Sequence, residues 1–121
     1  MHRQLLEMIS AAEMHPIDFE EVISVLRGHY RLTPCTFVTG RGTPRETVNP
    51  AGSNAASCLL LAVARRLGLE EQTTLNLYGR HYRDVLADPD GSAHANIRAF
   101  MANGWQGVVF EQDPLVLVGP G

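Results

Sequence analysis

Two histidines, an asparagine, an arginine and a tryptophan stand close together in the last third of the chain. They are His81, His94, Asn96, Arg98 and Trp105, within HYRDVLADPDGSAHANIRAFMANGWQG. Convergent polar groups of this kind mark a ligand pocket when the fold brings them to one concavity. A plainer reading is that Asp90 and Ser92 cap a helix, Arg98 pairs with Asp84 or Asp88, and His94 closes a backbone bond. The Asp, Pro, Gly and Ser residues between the two histidines form a turn in either case. The His/Asn/Arg set is the candidate ligand site.

A thiol offers sharper chemistry. Cys58 falls in the first turns of an expected helix, where the helix dipole lowers a thiol pKa. A histidine (His81 or His94) and an asparagine follow it, the order that Cys–His–Asn hydrolysis needs. Against this, Cys58 opens the run CLLLAVA, and a free cysteine in such a run packs as a small hydrophobe. Metal donors exist in His81, His94 and Asp84, Asp88 or Asp90. No HExxH is present, and DPDGS lacks the alternating ligands of a calcium loop, so no metal is expected. TGRGTPR and NPAGSN give a third set. Arg41, Arg45, Gly52, Ser53 and Asn54 precede a helix, whose free N–H groups favour a small anion. No nucleotide or dinucleotide fingerprint is complete, so no cofactor is expected.

Composition narrows the classes. The chain has 121 residues and a net charge of −3, so it lacks the basic surface that nonspecific nucleic-acid binding requires. All ten basic residues are Arg, which excludes lysine Schiff bases and lysine general bases. Two cysteines without CxxC spacing make neither a disulfide framework nor a zinc site. A reducing, cytoplasmic location is the expectation. The longest apolar run, Cys58 to Ala64, is far short of the roughly 20 residues of a membrane span. The N-terminus shows no signal-peptide pattern.

The elements that must position these residues follow from periodicity. Leu5, Ile9 and Ala12 predict a helix over residues 2–14. Asp18, with Glu21 three residues on, reads as the N-cap of a second helix that ends near Gly28 to Tyr30. Residues 35–39, CTFVT, predict a short strand, with Cys35 at its loop edge. Residues 40–52 read as a Gly- and Pro-rich loop or flap. Residues 53–67 predict the central buried helix, ended by Gly68. Residues 71–86 predict one continuous helix containing Gly79, whose usual reason is close approach of a neighbouring helix. A fifth helix starts near Ser92 and stops at Gly104. GVVF and LVLV predict two strands joined by residues 111–114. The expected fold is a single α+β domain over residues 1–121. It has about five helices around a central apolar helix and a small two- or three-stranded antiparallel sheet.

Three stretches carry a family resemblance. Tyr30, Thr33-Pro34 and Phe37 form a spaced motif; NPAGSNAASC leads into the apolar helix; and Tyr82-Arg83-x-Val85-Leu86, His94-x-Asn96-Ile97-Arg98-x-Phe100-Met101 and Gly104-Trp105 follow in order. Over about residues 15–118 the chain resembles the HopJ type III effector family of small bacterial proteins. The family pattern has an acidic residue and then Gly after the asparagine at Asn54. Here Ala55 and Ala56 stand there, so a role needing that carboxylate is not carried over. The resemblance implies no established activity, and the family name implies secretion into a host for some members. The first fourteen residues hold one Ser and a helical apolar stripe, which disfavours export of this chain. The resulting expectation is a non-catalytic binding or interaction protein with a polar His/Asn/Arg pocket, taking a protein partner or a small anionic ligand. The alternatives are a hydrolase on Cys58 and a small-anion-binding protein.

Overall fold

The computed structural model describes residues 3–118. His2, at the start of the expected first helix, lies outside them. Among the described residues six α-helices form: α1 (Arg3–Ala12), α2 (Phe19–His29), α3 (Ala55–Arg66), α4 (Glu71–Leu77), α5 (Arg80–Ala87) and α6 (Ala95–Asn103). Five short strands join them: β1 (Tyr30–Leu32), β2 (Phe37–Thr39), β3 (Thr47–Asn49), β4 (Val109–Phe110) and β5 (Leu115–Leu117). The α+β expectation holds.

α3 is the centre. Every side chain from Cys58 to Ala64 is buried, which is how a helix apolar all round must sit. Burying each of its leucines stabilises the fold by about 1.5–3 kcal/mol. α2 packs against it with Val22, Ile23, Val25 and Leu26. α2 starts where predicted, since the Asp18 side chain accepts from the Glu20 N–H at 3.1 Å. On α1 the buried stripe is Leu5, Met8 and Ala12, with Ile9 only partly buried. α3 ends at Arg66, with Leu67 as its C-cap and then Gly68 at a positive φ of 67°.

The helix expected over residues 71–86 is two helices. Gly79 breaks it with φ 57° and ψ −122°, a backbone open to Gly and strained for any other residue. A Cβ there would collide with the Ile17 carbonyl oxygen and lie 3.0 Å from the Phe19 N. The close neighbour is thus the backbone of the α1–α2 link, not a helix. Asn76 ties the same region together. Its Nδ2 donates to the Ala12 carbonyl at 2.7 Å, and its carbonyl accepts from the Ile17 N–H at 3.1 Å.

The strands make two antiparallel sheets. β1 pairs with β5, Tyr30 facing Leu117 and Leu32 facing Leu115. β2 lies between β3 and β4, Val38 facing Val48 on one side and Val109 on the other. The two strands at the C-terminal end, expected as strands joined by residues 111–114, join different sheets. β1 was not foreseen, and the expected flap contains β3 and is a hairpin with β2. Its turn is closed by the Thr43 hydroxyl donating to the Gly40 carbonyl at 2.6 Å. Cys35 is buried rather than at an open edge, its thiol donating to the Gln112 carbonyl at 3.3 Å.

Candidate functional site

The β2–β3 hairpin delivers a polar residue into the protein interior. Asn49 ends β3 at 1% exposure, and Asn96 in the first turn of α6 is 8% exposed. Each side chain donates its amide to the other's oxygen at 2.9 Å. The Thr39 hydroxyl donates to Asn96 Oδ1 at 2.6 Å, and Asn54 Nδ2 donates to Asn49 Oδ1 at 2.7 Å. Buried amides need such partners, because an unpaired one costs about 1–3 kcal/mol. The chain of four side chains fixes the starts of α3 and α6 relative to the hairpin.

Those two helix starts open onto one cavity of about 370 Å³. Asn54, Ala56 and Ser57 line it from α3, and His94, Ala95, Asn96 and Ile97 from α6. Phe19, Thr47, Tyr78 and His81 complete the wall. Neither helix has a side-chain N-cap hydrogen bond. Both N-cap residues are left-handed: Asn54 at φ 51°, ψ 45° and His94 at φ 59°, ψ 52°. They are the two non-glycine residues with positive φ among those described. Asn and His tolerate that region better than most residues, yet it is strained. The expected N-cap, Ser92, does not start α6; the helix begins two residues later, after His94.

Tyr78 is 2% exposed. Ser57 lies beside its hydroxyl, and burial pushes the phenol well above its ordinary range. Among the described residues Tyr78 Oη is the buried side-chain polar atom without a partner. Phe19 stacks on the Tyr78 ring at 6.0 Å and meets the His81 ring edge-on at 4.7 Å. The His81 and His94 rings are 5.0 Å apart, and His94 Nε2 lies 3.6 Å from Asp84 Oδ2. Burial, then His94 and Arg80, lower the His81 pKa, against Glu20 and Asp84, which raise it. His81 is thus held towards its neutral form.

The candidate residues separate. His81, His94 and Asn96 share the cavity with Asn54 from the anion set. Arg98 does not reach it. Arg98 is 6% exposed on the other side of α6 and donates to the carbonyls of Ala93 at 2.6 Å and Pro89 at 3.3 Å. Its hydrogen bonds go to the turn backbone, not to the Asp84 or Asp88 carboxylates. Trp105 packs edge-on against Phe100 and donates from Nε1 to the Leu69 carbonyl at 3.0 Å. Arg41, Arg45, Gly52 and Ser53 are exposed and line no part of the cavity. Cys58 is 2% exposed, and burial, with Cys35 nearby, pushes its thiol up to about 11. At neutral pH it is not a thiolate. Thr39 and Asn49 were not foreseen as site residues. The one local sign was a polar residue closing the β-branched pair Thr47-Val48.

A larger groove of about 470 Å³ lies along Arg65, Arg66, Phe110 and Pro114. Both of its arginines make bonds within the fold: Arg65 Nη1 donates to the Val108 carbonyl at 2.9 Å, and Arg66 pairs with Asp113 at 2.7 Å.

Fold and site together define a small α+β domain with a polar cavity between two uncapped helix starts. The chain belongs to the HopJ type III effector protein family, whose profile matches residues 3–115. It is similar to a protein of unknown function, VPA0580, known from a crystal structure. The identity is 34%, over 97% of this chain and 93% of that one, with a TM-score of 0.83. No curated protein matches the chain. Among the described residues no helix is long and apolar enough to cross a membrane.

Proposed function

We propose that this chain is a non-catalytic binding protein whose cavity takes a small anion of carboxylate or phosphate size. The observation that carries the reading is the convergence of the α3 and α6 N-termini on one cavity without side-chain caps. Each helix start carries roughly half a positive charge in unsatisfied N–H groups. Two of them facing one space favour an anion more than either alone. Tyr78, whose buried hydroxyl has no partner among the described residues, is part of the cavity wall. The cavity size falls in the usual range for small-ligand sites, about 300–1,000 Å³. The Cys58 hydrolase gains no support, because its thiol is buried and protonated at neutral pH. Two free, buried cysteines fit a reducing, cytoplasmic compartment.

The test is an NMR titration with inorganic phosphate and with acetate, in buffer containing EDTA. The expected result is saturable amide shifts confined to residues 54–57 and 94–97. Tyr78→Phe should weaken binding about three- to tenfold, as the loss of one hydrogen bond does. Shifts centred on Arg41 and Arg45, or none at all, would refute the reading.

A further inference from the structure

We infer that His81, Asp84 and His94 form a binding site for a divalent first-row transition-metal ion at the mouth of the cavity. One ligand atom from each of the three lies within 4.8 Å of the other two. His81 and Asp84 are three residues apart on α5, so they share a face. His94 reaches them from the start of α6. The set is drawn from two elements joined by a short turn, which is why sequence spacing alone gave no metal motif.

The donor chemistry selects the class of ion. Two imidazoles and one carboxylate suit Zn²⁺, Ni²⁺, Fe²⁺ or Cu²⁺, whereas Mg²⁺ and Ca²⁺ prefer oxygen-only sets. Zinc in a tetrahedral site holds N and O ligands at about 2.0–2.2 Å. The three donors must therefore close by about an ångström or more. The side chain able to move is Asp84, 64% exposed. The two rings are the fixed members. His81 is packed edge-on against Phe19, and the His94 ring lies 5.0 Å from the His81 ring.

Three protein ligands leave a tetrahedral ion one open position. Both histidines line the cavity, so that position faces it, on the side where Tyr78 is buried without a partner. An anion in the cavity would complete the coordination sphere. That last point rests on the anion reading; the three-residue metal site does not.

The experiment is calorimetric titration of ZnCl₂ into the full, untagged chain near pH 7 without phosphate. We expect one saturable Zn²⁺ site per chain and no saturable Mg²⁺ binding. His81→Gln, His94→Gln and Asp84→Ala should each weaken Zn²⁺ binding by about tenfold or more, on the scale of lost metal-site contacts. His15→Gln, outside the three-residue set, should leave it unchanged. Asp84→Ala is the variant that keeps the test secure, because an exposed side chain can be removed without endangering the fold. No saturable Zn²⁺ binding would overturn the inference. So would equal affinity in wild type and Asp84→Ala, or a loss caused by His15→Gln. The EDTA titration with phosphate is read separately, so a chain that binds phosphate and no zinc refutes this inference alone.

Discussion

Asn49 and Asn96, 47 residues apart, exchange amide hydrogen bonds in both directions inside the protein. This pair holds the β2–β3 hairpin against α6 and sets where the α6 N-terminus points. Replacing Asn96 by Leu takes the acceptor from the buried Thr39 hydroxyl and one partner from Asn49, whose amide keeps the Phe37 and Thr47 carbonyls. Asn96→Leu is expected to destabilise the fold by about 2–3 kcal/mol, the upper range for orphaning a buried polar group. Replacing both residues by Leu should cost less than the sum of the single changes, because the two amides interact directly. Urea unfolding of the singles and the double measures this. Additive effects, or a single change below about 0.5 kcal/mol, would contradict the role given to the pair.

Gly79→Ala tests the break between α4 and α5. The backbone there has positive φ, and the added methyl would meet the Ile17 carbonyl oxygen. Backbone strain of this kind costs about 1–3 kcal/mol, and the clash adds to it. The expected loss is about 2–4 kcal/mol, at the large end for single substitutions. Thermal unfolding within a degree or two of wild type would show that residues 71–87 run as one helix after all.

What was legible in the sequence depended on how local its cause was. CLLLAVA announced a buried helix because every residue in it is apolar. Asp18 announced a helix start because its side chain bonds only two residues ahead. Gly79 hid a helix break, since Leu75, Tyr78, Tyr82 and Val85 continue one apolar stripe across it. Periodicity reports a face and not the nearby passage of the Ile17 carbonyl. The strands are two or three residues long, too short for a period of two to show. Their partners are distant: the neighbour of Phe37 on one side is Phe110. Within the candidate site, His81, His94 and Asn96 stood out by type and proximity. Asn49 and Tyr78 did not, because their roles come from tertiary neighbours. Arg98 stands in the sequence with the His/Asn set, but its hydrogen bonds go to carbonyl groups of the α5–α6 turn.

Arg98→Ala should destabilise the protein by about 1–3 kcal/mol. The guanidinium is buried and holds the Ala93 and Pro89 carbonyls, so its loss leaves two acceptors without a charged donor. Arg41→Ala should fall within about 0.5 kcal/mol of wild type. The Arg41 side chain is exposed, and the bond that matters there is its backbone N–H to the Gly107 carbonyl at 3.0 Å. Denaturation midpoints that rank the two variants the other way would reject this assignment.

Cys58 gives a prediction with a sign. Burial first, and Cys35 second, raise its thiol from the ordinary 9.0 to about 11 in the folded chain. The folded state therefore keeps its proton at a pH where the unfolded state has lost it. The stabilising contribution is fully present below pH 9.0 and is lost as pH rises through about 11. Tyr78, raised by burial, acts in the same direction. Stability measured by urea should fall between those limits, and Cys58→Ala should flatten the fall while lowering stability at neutral pH through the cavity it leaves. Alkylation should agree. With the thiolate scarce and access closed, Cys58 should label slowly at neutral pH and at wild-type rate in His81→Gln and His94→Gln. Cys35 should also label slowly, because it too is buried, its thiol on the Thr36 and Gln112 carbonyls. Fast labelling of Cys58 that depends on either histidine would instead identify a nucleophile and its base. That result would replace the binding reading with the hydrolase.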